Sequence, residues 1–232
     1  MGADSNGTYL SKYVVIASRF LARQSFQLRA IVGKDCRATA RNDVTLLFRG
    51  LSKCHSGLNP SELGTDMTIT EETLKELALA LGECMTVKGL KLASAESCTG
   101  GWLAKIITDL PGSSAWFETS IVCYSNDSKN RLLGVPLSTL DESGAVSGET
   151  VLAMTDGLFD HTTADVAVSI SGIAGPDGGT EDKPVGLVWL CWGKRDKSSY
   201  AFPYNFEGDR EQVRLQSLQT ALNALLDLLV CR

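Results

Sequence analysis

Between Met67 and the end of the chain the spacing of apolar positions changes several times, and each change predicts an element. In MTITEETLKELALALGECM, Leu74, Leu77, Ala78 and Leu81 recur at helical spacing, and Thr68 with Glu71 has the pattern of a capping box. LKLASA (90–95) is a short apolar run that predicts a strand, and GGWLAKIITDL predicts a helix stopped by Pro111-Gly112. SIVCYS (120–125) predicts a second strand, followed by a short helix around Asp127–Leu133. GETVLAMTDGLFD reads as a helix and ADVAVSI (164–170) as a buried strand. VGLVWLCWG and SYAFPYNF flank the polar turn Lys194–Lys197, which predicts an antiparallel hairpin. DREQVRLQSLQTALNALLDLL closes the chain as a long amphipathic helix whose leucines, from Leu215 to Leu229, either cover the domain's own sheet or pair subunits. Strands alternating with helices, with one hairpin, imply an α/β layered fold with a mixed sheet.

Residues 1–66 break this rhythm. They carry nine Lys and Arg against five Asp and Glu, a net +4, while the remainder of the chain carries −9. An Arg-rich, acid-poor segment with interspersed apolar residues suits an organelle transit peptide. Other readings are upstream sequence foreign to the mature protein, or a folded accessory segment. The expected division is therefore a poorly structured basic extension, 1–66, and a domain, 67–232. The acidic body argues against a nucleic-acid partner. Seven cysteines, widely scattered and without a C-x-x-C pair, argue against a disulfide framework or structural zinc and for a reducing, cytoplasmic setting. No run reaches the ~18–20 apolar residues needed to span a bilayer, so a soluble protein is expected.

Three loops leave predicted strand ends, where open α/β sheets gather ligands. In AESCTGGWLAK, Ser97 stands between a strand and a helix, near free N–H groups of the first turn. It is a nucleophile whose oxyanion those donors would meet, or an N-cap beside a glycine turn. In YSNDSKNR, Lys129 is a candidate base if burial lowers its pKa, with Tyr124 passing or orienting the proton; the other reading is a solvated surface helix. A Ser-His-Asp relay has little support, since only His55 and His161 exist. SGIAGPDGGTEDKPVG, Ser171–Gly186, is a ligand-lining loop or simply a long turn. Arg210 and Arg214, one turn apart, either hold a phosphate or belong to a solvated face, paired with Asp209.

Taken in order, AESCTGGWLAK, PGSSAWF, YSNDSKNRLLGVP, GAVS, SGIAGPDGGTEDKPVG and GDREQVRLQS resemble the C-terminal domain of competence-damage (CinA-type) proteins. More narrowly, they resemble its stand-alone nicotinamide-nucleotide amidases. The resemblance spans about Thr70 to Leu229 and is close to word for word in Ala95–Gly101 and Ser171–Gly186. It implies a three-layer α/β/α sandwich, no metal, no cofactor, and a homodimer. It also implies hydrolysis of the carboxamide of nicotinamide mononucleotide, a small-molecule substrate, in pyridine-nucleotide recycling. Ser97 would then be the nucleophile, Lys129 the base and Tyr124 the tuning partner. Donors around Thr99, Gly100 and Gly101 would meet the oxyanion or phosphate, and Gly172, Gly175 and Gly178 would wall the pocket. Arg210 and Arg214 would hold the phosphate, and Cys98 is the rival nucleophile. The chain departs from the family pattern at Thr119 and Ser120 (usually glycine), at Cys123 (often alanine) and at Gly148 (commonly acidic). Two other readings stay open: a catalytically silent domain that binds a nucleotide or a partner, and an amidase for another nucleotide-like amide.

Overall fold

The computed structural model of the chain describes residues 69–230, so the expected extension 1–66 and the Thr68 cap lie outside the described residues. Helix α1 spans Glu71–Lys88 and is capped by Thr70, two residues later than the pattern suggested. The Thr70 hydroxyl accepts from the Thr73 N–H while the Thr73 hydroxyl accepts from the Thr70 N–H. Glu71 is not free to close a box, because its carboxylate accepts from Trp102 Nε1 and Lys105 Nζ of the next helix.

Strand β1 (Leu92–Glu96) leads through a tight turn into α2 (Trp102–Thr108). A single 3-10 turn (Ser113–Ala115) precedes β2 (Phe117–Val122), and then come α3 (Asn126–Leu133), α4 (Leu137–Glu142) and α5 (Gly148–His161). Strand β3 (Val166–Gly172) is followed by the hairpin β4 (Leu187–Lys194) and β5 (Tyr200–Asn205), and α6 (Arg210–Val230) ends the domain. The sheet runs in the order β2-β1-β3-β4-β5, parallel among β2, β1 and β3 and antiparallel from β3 to β5. This is the mixed α/β sheet read from the sequence.

Two elements differ from that reading. Strand β2 lies three residues earlier than SIVCYS, because its partner β1 ends at Glu96, opposite Val122. Cys123 and Tyr124 therefore leave the sheet and feed α3. Helix α4 carries one buried side chain, Leu140, and so has no periodicity to reveal it.

Side chains alternate across β1 and β3 and divide the core into two layers. Leu92, Val166, Val168 and Ile170 face α1, α2 and α6, whose Leu74, Leu81, Ile106, Leu218, Leu222 and Leu225 fill that side. The leucines of α6 are thus committed to the domain's own sheet. The opposite face shows small residues, Ala93, Ala95 and Ala167, which let α5 lie close with Val151, Met154 and Leu158. Helices on both faces give the three layers.

Candidate active site

Ser97 follows β1 at the carboxyl end of the parallel strands. Its N–H still pairs with Ile170 O at 2.9 Å, so it continues the alternation of β1 and turns away from α2. Residues 97–100 close a turn in which Gly100 N–H donates to Ser97 O at 3.1 Å. Gly100 and Gly101 have φ of +63° and +89°, a backbone that side chains other than glycine's adopt at a cost. This local requirement is what the paired glycines of the motif meet.

Lys129 comes from the first turns of α3, whose start is fixed by a capping box between Ser125 and Ser128. Leu133, one turn later, is buried on the same face. With 1% of its surface exposed, Lys129 places Nζ 3.0 Å from Ser97 Oγ, and Nζ donates to Cys123 O at 2.9 Å and Tyr124 O at 3.4 Å. Burial lowers its pKa below the ordinary lysine value. Cys98, one residue from Ser97, points into the α1–α2–α6 layer, and burial pushes its thiol up to about 11. A thiol held protonated at neutral pH is a poor nucleophile.

Other positions singled out in the sequence take different parts. The amide of Gly101 donates to Glu96 Oε2 at 3.0 Å and that of Gly100 to Ser97 O, so neither is left for an incoming anion. Among the described residues, the amides of Cys98 and Thr99 donate to no main-chain carbonyl. Tyr124 is 63% exposed, and its phenol accepts from Arg210 Nη2 at 3.2 Å while its main-chain carbonyl meets Lys129. The phenol expected to tune or relay the proton thus meets Arg210, and the contact of Tyr124 with Lys129 is through the main chain.

Arg210 also donates to Gly175 O at 2.8 Å, and Arg214 to Thr99 O at 2.7 Å, with its guanidinium 4.7 Å above the Trp102 ring. The expected ion pair with Asp209 is absent. Asp209 instead caps α6 by accepting from Gln212 N–H at 2.9 Å. With Trp102 and Glu211 the two arginines line an open depression of about 430 Å³. Gly175 is buried where an added Cβ would meet Val185 at 2.6 Å. Gly172 ends β3, and Gly178 lies exposed further along the loop.

Glu96 and Trp102 are parts of the site that the sequence reading passed over. An acid at a strand end a few residues ahead of a helix start can fold back to meet its first N–H groups, and AESCTGG holds that signal. Among the described residues no three His, Cys, Asp or Glu side chains gather to hold a metal ion, and no helix is long and apolar enough to cross a membrane.

A serine in contact with a buried lysine at the carboxyl end of a parallel β-pair, on a mixed sheet covered by helices on both faces, defines the class as a three-layer α/β protein with a polar site at a strand end. Comparison with known proteins narrows that class. The profile of the CinA C-terminal domain matches residues 74–229, and the chain belongs to that family. It is 50% identical to the nicotinamide-nucleotide amidohydrolase PncC of Enterobacter agglomerans over 162 residues, which cover 68% of this chain and 99% of that protein. It is 46% identical to the protein of the same name from Escherichia coli K12, covering 68% and 95%. Among solved structures, the competence/damage-inducible protein of Agrobacterium tumefaciens superposes with a TM-score of 0.66 at 38% identity, covering 71% of this chain and 99% of that one.

Proposed function

We propose that this chain hydrolyses the carboxamide of nicotinamide mononucleotide to nicotinate mononucleotide and ammonia through an acyl-enzyme on Ser97. The observation that carries the reading is the buried 3.0 Å contact between Ser97 Oγ and Lys129 Nζ. The substrate is taken from the relatives named nicotinamide-nucleotide amidohydrolase.

A primary amide is a weak electrophile with a poor leaving group, so covalent catalysis divides the task. A neutral lysine has two N–H bonds and one lone pair. The carbonyls of Cys123 and Tyr124 accept the two N–H bonds, leaving the lone pair toward Ser97. As Oγ bonds to the carboxamide carbon, its proton moves to Nζ. The amides of Cys98 and Thr99, which donate to no main-chain carbonyl, offer donors to the oxyanion. Collapse breaks the carbon–nitrogen bond while Nζ returns the proton to the departing nitrogen, which leaves as ammonia. Water, deprotonated by Lys129, then adds to the Ser97 ester. The carbon–Oγ bond breaks, Ser97 regains its proton, and the carboxylate product is released.

Arg210 and Arg214, which meet only carbonyl and phenol oxygens, would take the phosphate, with Trp102 as a wall. Tyr124 contributes through its carbonyl and its hold on Arg210. The homodimer implied by the resemblance would have to use a surface other than the leucine face of α6, which is buried in its own core.

Ammonia release from nicotinamide mononucleotide tests the proposal. Ser97→Ala is expected to release none while melting like the parent, and Cys98→Ala to stay active. Full activity in Ser97→Ala overturns the mechanism. Loss in Cys98→Ala with Ser97→Ala active transfers the role to the thiol. A parent protein silent on this and related amides overturns the enzymatic reading altogether.

A further inference from the structure

Helix α2 begins at a glycine that has no side chain to cap it. Its first N–H groups have no partner within the helix. Here a carboxylate of the preceding strand meets them. Glu96, with 0% of its surface exposed, accepts at Oε2 from Thr99 Oγ1 (2.7 Å), Gly101 N (3.0 Å) and Leu103 N (3.1 Å). At Oε1 it accepts from Ala104 N (3.0 Å) and Ser120 Oγ (3.3 Å). None of the ion pairs among the described residues involves it, so donors alone hold the carboxylate.

Those donors come from three segments: the 97–101 turn, α2 and β2. They lie on the face of β1 opposite the one toward which Ser97 turns. We propose that Glu96 is a positioning residue, which clamps the turn from beneath so that Ser97 Oγ and the Cys98 and Thr99 amides keep their angle to the substrate. Loss of such a clamp displaces reacting groups without removing any of them, so the effect falls on kcat. The inference rests on Ser97 as nucleophile.

Glu96→Gln is the informative change, because it keeps the volume and turns one acceptor into a donor. Whichever way the amide lies, an N–H then faces the N–H of Ala104 or those of Gly101 and Leu103. The full chain and its variant are labelled with an alkyl fluorophosphonate, the modified residue is located by mass spectrometry, and turnover is expressed per labelled site. A merely structural loss lowers the number of labelled sites and leaves turnover per site unchanged. The expected result is slower labelling at Ser97, with kcat per site down roughly ten- to a hundredfold and KM within about twofold. Should the variant not fold, Ser120→Ala, which removes one donor, is expected to lower kcat per site about two- to tenfold with KM unchanged. Equal labelling rates and equal kcat per site in parent and variant overturn the role of Glu96 alone. A parent that labels Ser97 but releases no ammonia from nicotinamide mononucleotide sinks the substrate, and the role of Glu96 is then read from labelling rates. A parent not labelled at Ser97 sinks the nucleophile and this role with it.

Discussion

In the proposed mechanism a lysine amine buried beside a serine hydroxyl supplies the chemistry, and its titration is measurable. Burial disfavours the charged form, so the neutral base is available at lower pH than for a solvated lysine. Activity is therefore expected to rise with pH and to level off through an inflection below the ordinary value of 10.5. A kcat/KM profile without such an inflection would count against Lys129 as the base. The same shift has a sign for stability. Between the folded and the unfolded pKa the unfolded chain binds more protons at Lys129, so this group's contribution to stability rises with pH over that window. Lys129→Arg carries a cation that does not deprotonate, and its kcat is expected to fall roughly 10²- to 10⁴-fold.

Among the elements, α3 has the most exacting place, because it must hold Lys129 against the end of β1. It does so by lying hard against α5. An added Cβ at Gly157 would run into the main-chain oxygen of Leu133, at the end of α3. Helix propensity alone favours Gly157→Ala by about 1 kcal/mol. The contact predicts the opposite sign, a loss of roughly 1–3 kcal/mol, since backbone cannot give way as a flexible side chain does. Thermal unfolding of Gly157→Ala checks this, and its kcat is expected to fall as well because α3 moves with Lys129. A raised melting temperature would show that the two helices are not locked as described. The sequence announces α5 clearly through its apolar periodicity, but it says nothing of which glycine bears the crossing.

At the scale of the molecule, every side chain of the proposed chemistry lies between Glu96 and Arg214. We expect a chain beginning at Met67 to match the full chain in melting temperature and in ammonia release per mole. A loss of either would give residues 1–66 a part in the domain. The basic composition that set this segment apart is a statement about charge, and the described residues neither add to it nor subtract from it.

Hydrophobic period fixes much of this fold by itself. Where one face must be buried, apolar spacing commits a segment to helix or strand, and α1, α5, β3, the β4–β5 hairpin and α6 could all be read that way. The motif around Ser97 left a nucleophile and an N-cap both open from spacing, and only the family resemblance chose between them. Tertiary structure alone decided the rest. It ended β2 where its partner ended, turned the Tyr124 phenol to Arg210, joined Arg214 to Thr99 across 115 positions of chain, and folded Glu96 under the turn that follows it. The reason is physical: local pattern reports which face of a segment avoids water, whereas a polar group's partner is set by whichever donor or acceptor the assembled layers bring within about 3 Å.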